Sequence, residues 1–321
     1  MILELAAILA GLLLLAWGAD RVVEGAGVIA RAFNVPPLLI GLTVLGFATS
    51  LPEMLVSAAA ALSGAPNLAV ANALGSNIAN IGMVTAIAAI IRPLHIQSQT
   101  LRSELPVMLA VSVTPVVLFP DGVLSRMDGL LLLAGLVVFI IWVLRLGLQT
   151  RGKDPIEAEY AAEIATGITP GRAALVLLLG LGTLALGSEA LVWGSRNLAL
   201  RLGISDLVIG LTIVAIGTSL PELAVSVVGA RKGEHGLALG NVIGSNIFNT
   251  LAVIGVAGAI RPAILDPDAV VLHLPIMLGF TLAFFFFAYN AGDTIRIGRG
   301  AGWLALIGFI AYLAYLVGTV I

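Results

Sequence analysis

The chain has 321 residues, 60% of them hydrophobic and 11% charged, with a formal net charge of −2 and a mean hydropathy of +1.10. Soluble domains carry about 25% charged residues, and the apolar runs here reach the roughly 20 residues that cross a bilayer, so a soluble fold is excluded and lipid is a partner. No basic patch with interleaved aromatics speaks for nucleic acid, and the absence of cysteine excludes disulfides, thiolate metal sites and cysteine nucleophiles.

The pattern predicts an all-α, polytopic membrane protein with about ten transmembrane helices. They fall near residues 2–30, 37–62, 67–91, 104–120, 128–148, 172–196, 205–230, 236–260, 269–289 and 301–320. Ile2 to Gly18 has Glu4 as its only early charge, no basic n-region and no convincing cleavage site. It reads as part of the first helix rather than a signal peptide. Turn signals stand at Asn34-Val-Pro-Pro37, Ser63-Gly-Ala-Pro66 and Phe119-Pro-Asp-Gly122. The one long polar connector, residues 150–171, divides a first five-helix repeat (1–149) from a second (172–321).

Basic residues give the orientation. Through alternate connections one side collects Arg21, Arg31, Arg92, Arg102, Arg145, Arg151, Lys153, Arg172, Arg231, Lys232, Arg296 and Arg299. The other collects Arg126, Arg196, Arg201 and Arg261. The richer side is cytoplasmic, which places the connector inside and both termini outside.

One stretch is written twice. Gly41-Leu-Thr…Thr49-Ser-Leu-Pro-Glu53…Gly75-Ser-Asn-Ile-Ala-Asn80…Arg92-Pro93 recurs 169 residues later as Gly210-Leu-Thr…Thr218-Ser-Leu-Pro-Glu222…Gly244-Ser-Asn-Ile-Phe-Asn249…Arg261-Pro262. Of the 53 paired positions, 25 are identical, with no gap. Five segments separate the copies, an odd number, so the second crosses in the opposite direction. Inverted repeats of this kind place a substrate site near the midplane, between the repeats.

The motif concentrates oxygen. Pro52 has no N–H for the carbonyl of Ala48, nor Pro221 for that of Gly217, so each helix is expected to kink or open there. Freed carbonyls in hydrocarbon must be re-satisfied or line a cavity. Beside each break stand Thr49, Ser50 and Glu53, or Thr218, Ser219 and Glu222. Asn72, Ser76 and Asn80, like Asn241, Ser245 and Asn249, recur every fourth residue and form a polar stripe on one helix face. Gly75 and Gly244 are expected to let helices approach closely. Oxygen-only ligands suit hard cations such as Na⁺ and Ca²⁺.

Each element also has a structural reading. Hydroxyls bond the carbonyl four residues back, Gly-Ser-Asn is a helix-packing surface, and a buried acid can be a hydrogen-bonded one. Two glutamates at matching depth are what favours ion handling, because intramembrane carboxylates are costly. If they stood about 4–5 Å apart they would repel by about 3–4 kcal/mol at an effective dielectric near 20. Such an empty site resists crossing the membrane, and a Ca²⁺, two Na⁺ or protons relieve it. That is a physical basis for obligatory antiport, in contrast to a passive cation channel. No His-Glu-x-x-His, Gly-x-Ser-x-Gly or histidine cluster supports a membrane enzyme, and no resident cofactor is expected. Asp20 and Arg21, whose mates are Glu189 and Ala190, read as an interfacial salt bridge. His95, His235 and His273 read as scattered in connections. Asp266, Asp268 and Asp293 read as solvated loop acids.

At these residues the chain resembles the calcium/cation antiporter superfamily, in particular the bacterial sodium/calcium exchangers. Gly-Thr-Ser-Leu-Pro-Glu and Gly-Ser-Asn-Ile-Phe-Asn of the second copy are similar to that family's second α-repeat, and the first copy to its first. The resemblance implies that Glu53 and Glu222 are shared carboxylates of Ca²⁺ and Na⁺ sites. It implies that Thr49 and Thr218 lend carbonyls and hydroxyls, with Ser50 and Ser219 beside them. Gly46 and Ala215 would lend further carbonyls, Ser76 and Ser245 hydroxyls, and Asn80 and Asn249 amides at the centre. Two departures stand out. Ala48 replaces the usual glycine. Asn249 stands where potassium-dependent members carry Asp, which argues against potassium and leaves Na⁺ and H⁺ as driving ions. The expected protein is a Na⁺/Ca²⁺ antiporter of a prokaryotic inner membrane, with a H⁺/Ca²⁺ exchanger on the same fold as the alternative.

Overall fold

Serine and proline punctuate a chain that is otherwise almost continuously helical. The computed structural model describes residues 1–33, 35–96, 101–150, 169–202, 215–289 and 295–320. The connector from 151 to 168, Asn34, Asp293 and the opening of the second motif copy, Gly210 to Val214, lie outside the described residues.

The helices are α1 (Ile2–Ala32), α2 (Pro37–Thr49), α3 (Leu51–Leu62), α4 (Pro66–Ile91), α5 (Leu101–Leu118), α6 (Arg126–Thr150), α7 (Pro170–Arg201), α8 (Ala215–Thr218), α9 (Leu220–Lys232), α10 (His235–Ile260), α11 (Leu274–Tyr289) and α12 (Arg299–Val320). Single π-helical turns interrupt α2 at Gly41–Leu45, α4 at Asn80–Thr85 and α10 at Asn249–Ile254. A further one, Ala269–His273, leads into α11. Two short antiparallel ribbons complete the fold: β1 (Leu94–Ile96) pairs with β4 (Ile295–Ile297), and β2 (Val123–Leu124) with β3 (Ala263–Ile264).

Among the described residues seven helices are long and apolar enough to cross a membrane, and the bent pair α2–α3 would make an eighth. α5 is shorter, and α8–α9 is described only from Ala215 onward. Within the repeated stretch, helix and π-turn bounds recur at the 169-residue offset: Asn80–Thr85 and Ala86–Ile91 answer to Asn249–Ile254 and Gly255–Ile260. Both copies also turn at a glycine with positive φ, Gly64 at 91° and Gly233 at 83°, a conformation L side chains rarely adopt.

The helix breaks fall two residues before the prolines. Ser50 (φ −84°, ψ 0°) and Ser219 (φ −88°, ψ 7°) separate the helices, and α2 and α3 meet at 42°. Pro52 and Pro221 lie inside the first turn of the helix that follows, where the missing N–H has no partner to lose. The proline therefore ends one helix by leaving a carbonyl four residues back without a donor, and starts the next.

Burial separates the layers. The hydrophobic windows of α4 and α10 are 78% and 83% buried, against 11–28% for the other spanning helices, so α4 and α10 are the core and the rest surround it. α1 and α7 form a pair of their own with an apolar cluster of Leu15, Val22, Leu177 and Leu184, joined to the core through Leu45, Val225 and Leu237. Their seam is glycine: Gly11, Gly18 and Gly25 on α1, Gly180, Gly187 and Gly194 on α7, each seven residues apart. Gly11 faces Gly187, Gly18 faces Gly180 and Gly25 faces Ala173, so the pair is antiparallel. In lipid, helix association rests on close packing, and a Cβ at Gly11 would stand 2.7 Å from the Gly187 carbonyl oxygen.

Polar contacts sort the basic residues into two ends, as their sequence positions suggest. At one end Lys232 pairs with Asp20 (2.7 Å), Arg31 with Glu234 (3.0 Å), Arg92 bonds the Arg231 carbonyl and Arg299 that of Ile90. At the other, Arg201 pairs with Glu4 (2.8 Å) and Arg261 lies against Gly64. Asp20 and Arg21 do form salt bridges: Arg21 meets Asp20 and Glu24.

The glycine seam has a testable cost. Gly11→Leu overpacks the α1/α7 contact and should lower the unfolding free energy by about 1–3 kcal/mol. Gly182→Leu, on α7 with nothing within 4 Å of the added Cβ, should stay within about 0.5 kcal/mol. Thermal unfolding in detergent compares the two, and equal effects would mean that the seam does not carry the packing.

Candidate functional site

The broken helices α2–α3 and α8–α9 meet the core helices α4 and α10 around two glutamates. Glu53 and Glu222 follow the breaks by three residues, in the first turns of α3 and α9, and both are 0% exposed. They are close enough for one charge to act on the other. Among the described residues no ion pair reaches either of them.

Glycine lets the backbones touch here. A Cβ at Gly46 would lie 2.8 Å from the Cα of Gly244, and one at Gly244 would collide with the Leu42 carbonyl. Gly41 and Gly240 make the same crossing one turn away. Gly75 meets nothing within 4 Å among the described residues. Its counterpart contact would be with Leu211, which lies outside them.

This approach brings groups of one copy onto the other. The Thr49 hydroxyl lies 3.0 Å from the Leu45 carbonyl, 3.1 Å from Asn241 Oδ1 and 3.2 Å from Ser245 Oγ. Ser245 Oγ in turn reaches Glu222 Oε1 and the Gly46 carbonyl, each at 3.4 Å. Thr49, Ser50 and Ser245 thus cluster at Glu222, and Thr218 stands beside Glu53. Ala215 opens α8, where Gly46 opens the last turn of α2.

Much of the polar lining has no partner among the described residues. There both carboxylate oxygens of Glu53, Oε2 of Glu222, the hydroxyls of Ser50, Ser76 and Ser219, and both amide atoms of Asn80 and Asn249 are buried and accept or donate no hydrogen bond. Buried polar groups are paired in the great majority of proteins. So many orphans in one region, most of them oxygens, form a lining suited to a hard cation or to water. No group of three or more His, Cys, Asp or Glu side chains is found among the described residues, so two carboxylates and neutral oxygens are what the region offers.

Several supporting residues are not evident from the motif. Ser57 and Ser226 stand four residues past Glu53 and Glu222 and hold the stripe: Asn72 donates to Ser57 Oγ (3.2 Å), Asn241 to Ser226 Oγ (3.3 Å). Their identity in both copies is the signal that could have found them. Asn77 Nδ2 donates to Thr250 Oγ1 at 3.0 Å and ties α4 to α10. Ser188 of α7 donates to the Gly217 carbonyl at 2.7 Å, the group that Pro221 frees. Its mate is Ala19, so no repeat signal marks it. Glu104 of α5 is a further carboxylate with no exposure, and Ser103 donates to its Oε1 at 3.4 Å. The histidines are less scattered than the sequence suggests, because the rings of His95 and His235 approach to 5.8 Å. Asp266 and Asp268 are exposed, as expected.

Known proteins are similar to this chain along nearly its whole length. CaxA of Alkalimonas amylolytica is 44% identical over 95% of this chain and 96% of its own. Inner membrane protein YrbG of Escherichia coli (strain K12) is 42% identical over 98% and 97%. The solved structure of the sodium/calcium exchanger from Methanococcus jannaschii superposes with a TM-score of 0.83 at 35% identity, covering 98% of each chain. The family model described as sodium/calcium exchanger protein matches residues 3–145 and 172–318. A match over both halves of the chain, together with these relatives, shows that the chain belongs to the sodium/calcium exchanger protein family.

Proposed function

We propose that the protein is a secondary active antiporter that exchanges Ca²⁺ for Na⁺ by alternating access, with the cation held between Glu53 and Glu222 near the bilayer midplane. The observation that carries this is two fully buried glutamates, one from each motif copy, near enough for their charges to interact, in a lining of oxygens unpaired among the described residues. The named exchanger from Methanococcus jannaschii, similar over the whole chain, supports the choice of ions.

Each residue then has a role. Glu53 and Glu222 supply charge, and Thr49, Thr218, Ser50, Ser219, Ser76 and Ser245 supply hydroxyls or carbonyls. Asn80 and Asn249 supply amide oxygens, Gly46 and Ala215 carbonyls. Ca²⁺ takes six to eight oxygens, more than two carboxylates give, so the neutral groups are needed. Asn rather than Asp at 80 and 249 limits the formal charge to that of the two glutamates, which Ca²⁺ or two Na⁺ balance.

The architecture in this reading is ten spans in two inverted repeats, residues 1–149 and 172–321, joined by a cytoplasmic linker, with both termini outside. Twelve of the sixteen Lys and Arg residues fall on the linker's side. A prokaryotic inner membrane fits the name of the Escherichia coli relative. Alternating access is a sliding of the glycine-sealed α1/α7 pair over the core. The empty site does not cross, since two bare carboxylates in low dielectric repel. That coupling separates exchange from passive flux. No enzymatic step and no resident cofactor form part of this proposal.

Three outcomes test it. A Na⁺ gradient should drive ⁴⁵Ca²⁺ uptake into proteoliposomes with a protonophore present; uptake that needs a proton gradient instead would make H⁺ the driving ion. Glu53→Gln should abolish that uptake, and transport equal to wild type would defeat the site assignment. Thr49→Val removes the hydroxyl shared with Asn241 and Ser245 and should raise the Ca²⁺ KM about tenfold, in line with about 1–2 kcal/mol for a lost buried hydrogen bond. Thr49→Ser should restore it, and an unchanged KM in the valine variant would remove Thr49 from the site.

A further inference from the structure

A cleft of about 280 Å³ lies between α4, α11 and the start of α12, apart from the glutamates. Its walls are apolar and include Ile81 and Thr85 of α4, Gly279 and Phe284 of α11, Ile297 of β4 and Ala301 of α12. It opens outward: Leu304 lines it and is 64% exposed. On α11 the lining runs from Ile276 to Phe287. Those eleven helical steps span about 16 Å, half of the roughly 30 Å hydrocarbon core. The cleft is therefore one leaflet deep.

The end at Ile297 and Ala301 has the chemistry of a head-group layer. Arg299 begins α12, exposed Trp303 follows one turn later, and Arg296 precedes on β4. Trp marks the membrane–water interface. Arg296 and Arg299 are exposed and have no ion-pair partner among the described residues, although Arg299 Nε donates to the Ile90 carbonyl. The inner end reaches Ile81, next in the chain to Asn80. Thr85 on the same wall donates its hydroxyl to the Asn80 carbonyl at 2.9 Å, closing the π turn.

We infer that this cleft holds one acyl chain of an anionic phospholipid whose phosphate rests on Arg299, and that the chain supports the π turn presenting Asn80. The binding stands on the cleft alone; its effect on transport rests on the exchange proposed above.

Gly279 offers a clean test, because a Cβ there meets nothing within 4 Å. Gly279→Leu should fill the cleft without a clash. The full-length protein in detergent would be offered phosphatidylglycerol and phosphatidylcholine in equal amounts and examined by native mass spectrometry. Wild type should retain one phosphatidylglycerol about fivefold over phosphatidylcholine, the factor given by about 1 kcal/mol per surface arginine. Gly279→Leu should retain neither, and Arg299→Gln should retain both alike. Equal retention of the two lipids by wild type, or an unaltered retention in Gly279→Leu, would overturn the site and leave only annular lipid. In proteoliposomes, phosphatidylglycerol should speed Na⁺-driven Ca²⁺ uptake at least twofold for wild type and leave Gly279→Leu at its basal rate. A stimulation that survives in Gly279→Leu would overturn the link to Asn80. If no liposome showed uptake while the lipid stayed bound, the exchange reading would fail and the lipid site would stand.

Discussion

The rest of the structure is arranged around two neighbouring buried carboxylates without a cationic partner among the described residues. A buried charge is tolerated only when paired or coordinated, and here the protein supplies neither Lys nor Arg but a lining of hydroxyls, amides and carbonyls. Each other unusual feature follows from that choice. Breaking α2 and α8 at serine puts Glu53 and Glu222 in the first turns of new helices, where the positive end of the helix dipole favours a carboxylate. Gly46 and Gly244 remove the side chains that would hold α2 and α10 apart, so Thr49 of one copy reaches Ser245 and Asn241 of the other. α4 and α10, the most buried of the spanning helices, carry nine of the 21 buried polar side chains among the described residues, because they have protein on nearly every side.

The sequence shows its repeat and its glutamates plainly, because both are features of identity at fixed spacing. A 169-residue offset with no gap cannot be hidden by packing, and a glutamate in an apolar run is conspicuous wherever it lands. Fold class and the grouping of the charged ends follow from the same regularity. Legibility ends where a role belongs to one residue in one copy. Ser188 caps the Gly217 carbonyl, but a lone serine in a helix of glycines and leucines looks like any packing residue. The π turns in α4 and α10 leave no mark in composition, although they begin at Asn80 and Asn249. The helix breaks were displaced by two residues from the prolines, since a proline weakens the turn before it and is itself at ease in the turn after.

The same logic explains why the stripe residues divide into two kinds. Asn72 and Asn241 share a face with Ser76, Asn80, Ser245 and Asn249, and spacing alone cannot separate them. Their partners do. Asn241 is occupied by Ser226 and Thr49, Asn72 by Ser57, and they act as struts. Asn80 and Asn249 have no partner for either amide atom among the described residues. In a close-packed interior an unspent amide is expensive, so of the stripe's amides Asn80 and Asn249 are the ones free to serve the proposed ion.

Three contacts tie the α1/α7 pair to the second copy, and they bear on the exchange cycle proposed here. They are Asp20–Lys232, Arg31–Glu234 and Ser188–Gly217, and the two ion pairs lie at one end. Exposed ion pairs contribute about 0–1 kcal/mol each, and a neutral buried hydrogen bond about 0.5–1.5 kcal/mol. Together they are of the order of the few kcal/mol that separate two interconverting states. In the proposed cycle they would be strong enough to favour one orientation and weak enough to release. The block on empty crossing would then come from the repulsion of the glutamate pair, so that latches at the rim would set which way the proposed site faces and charge at the centre whether it can turn.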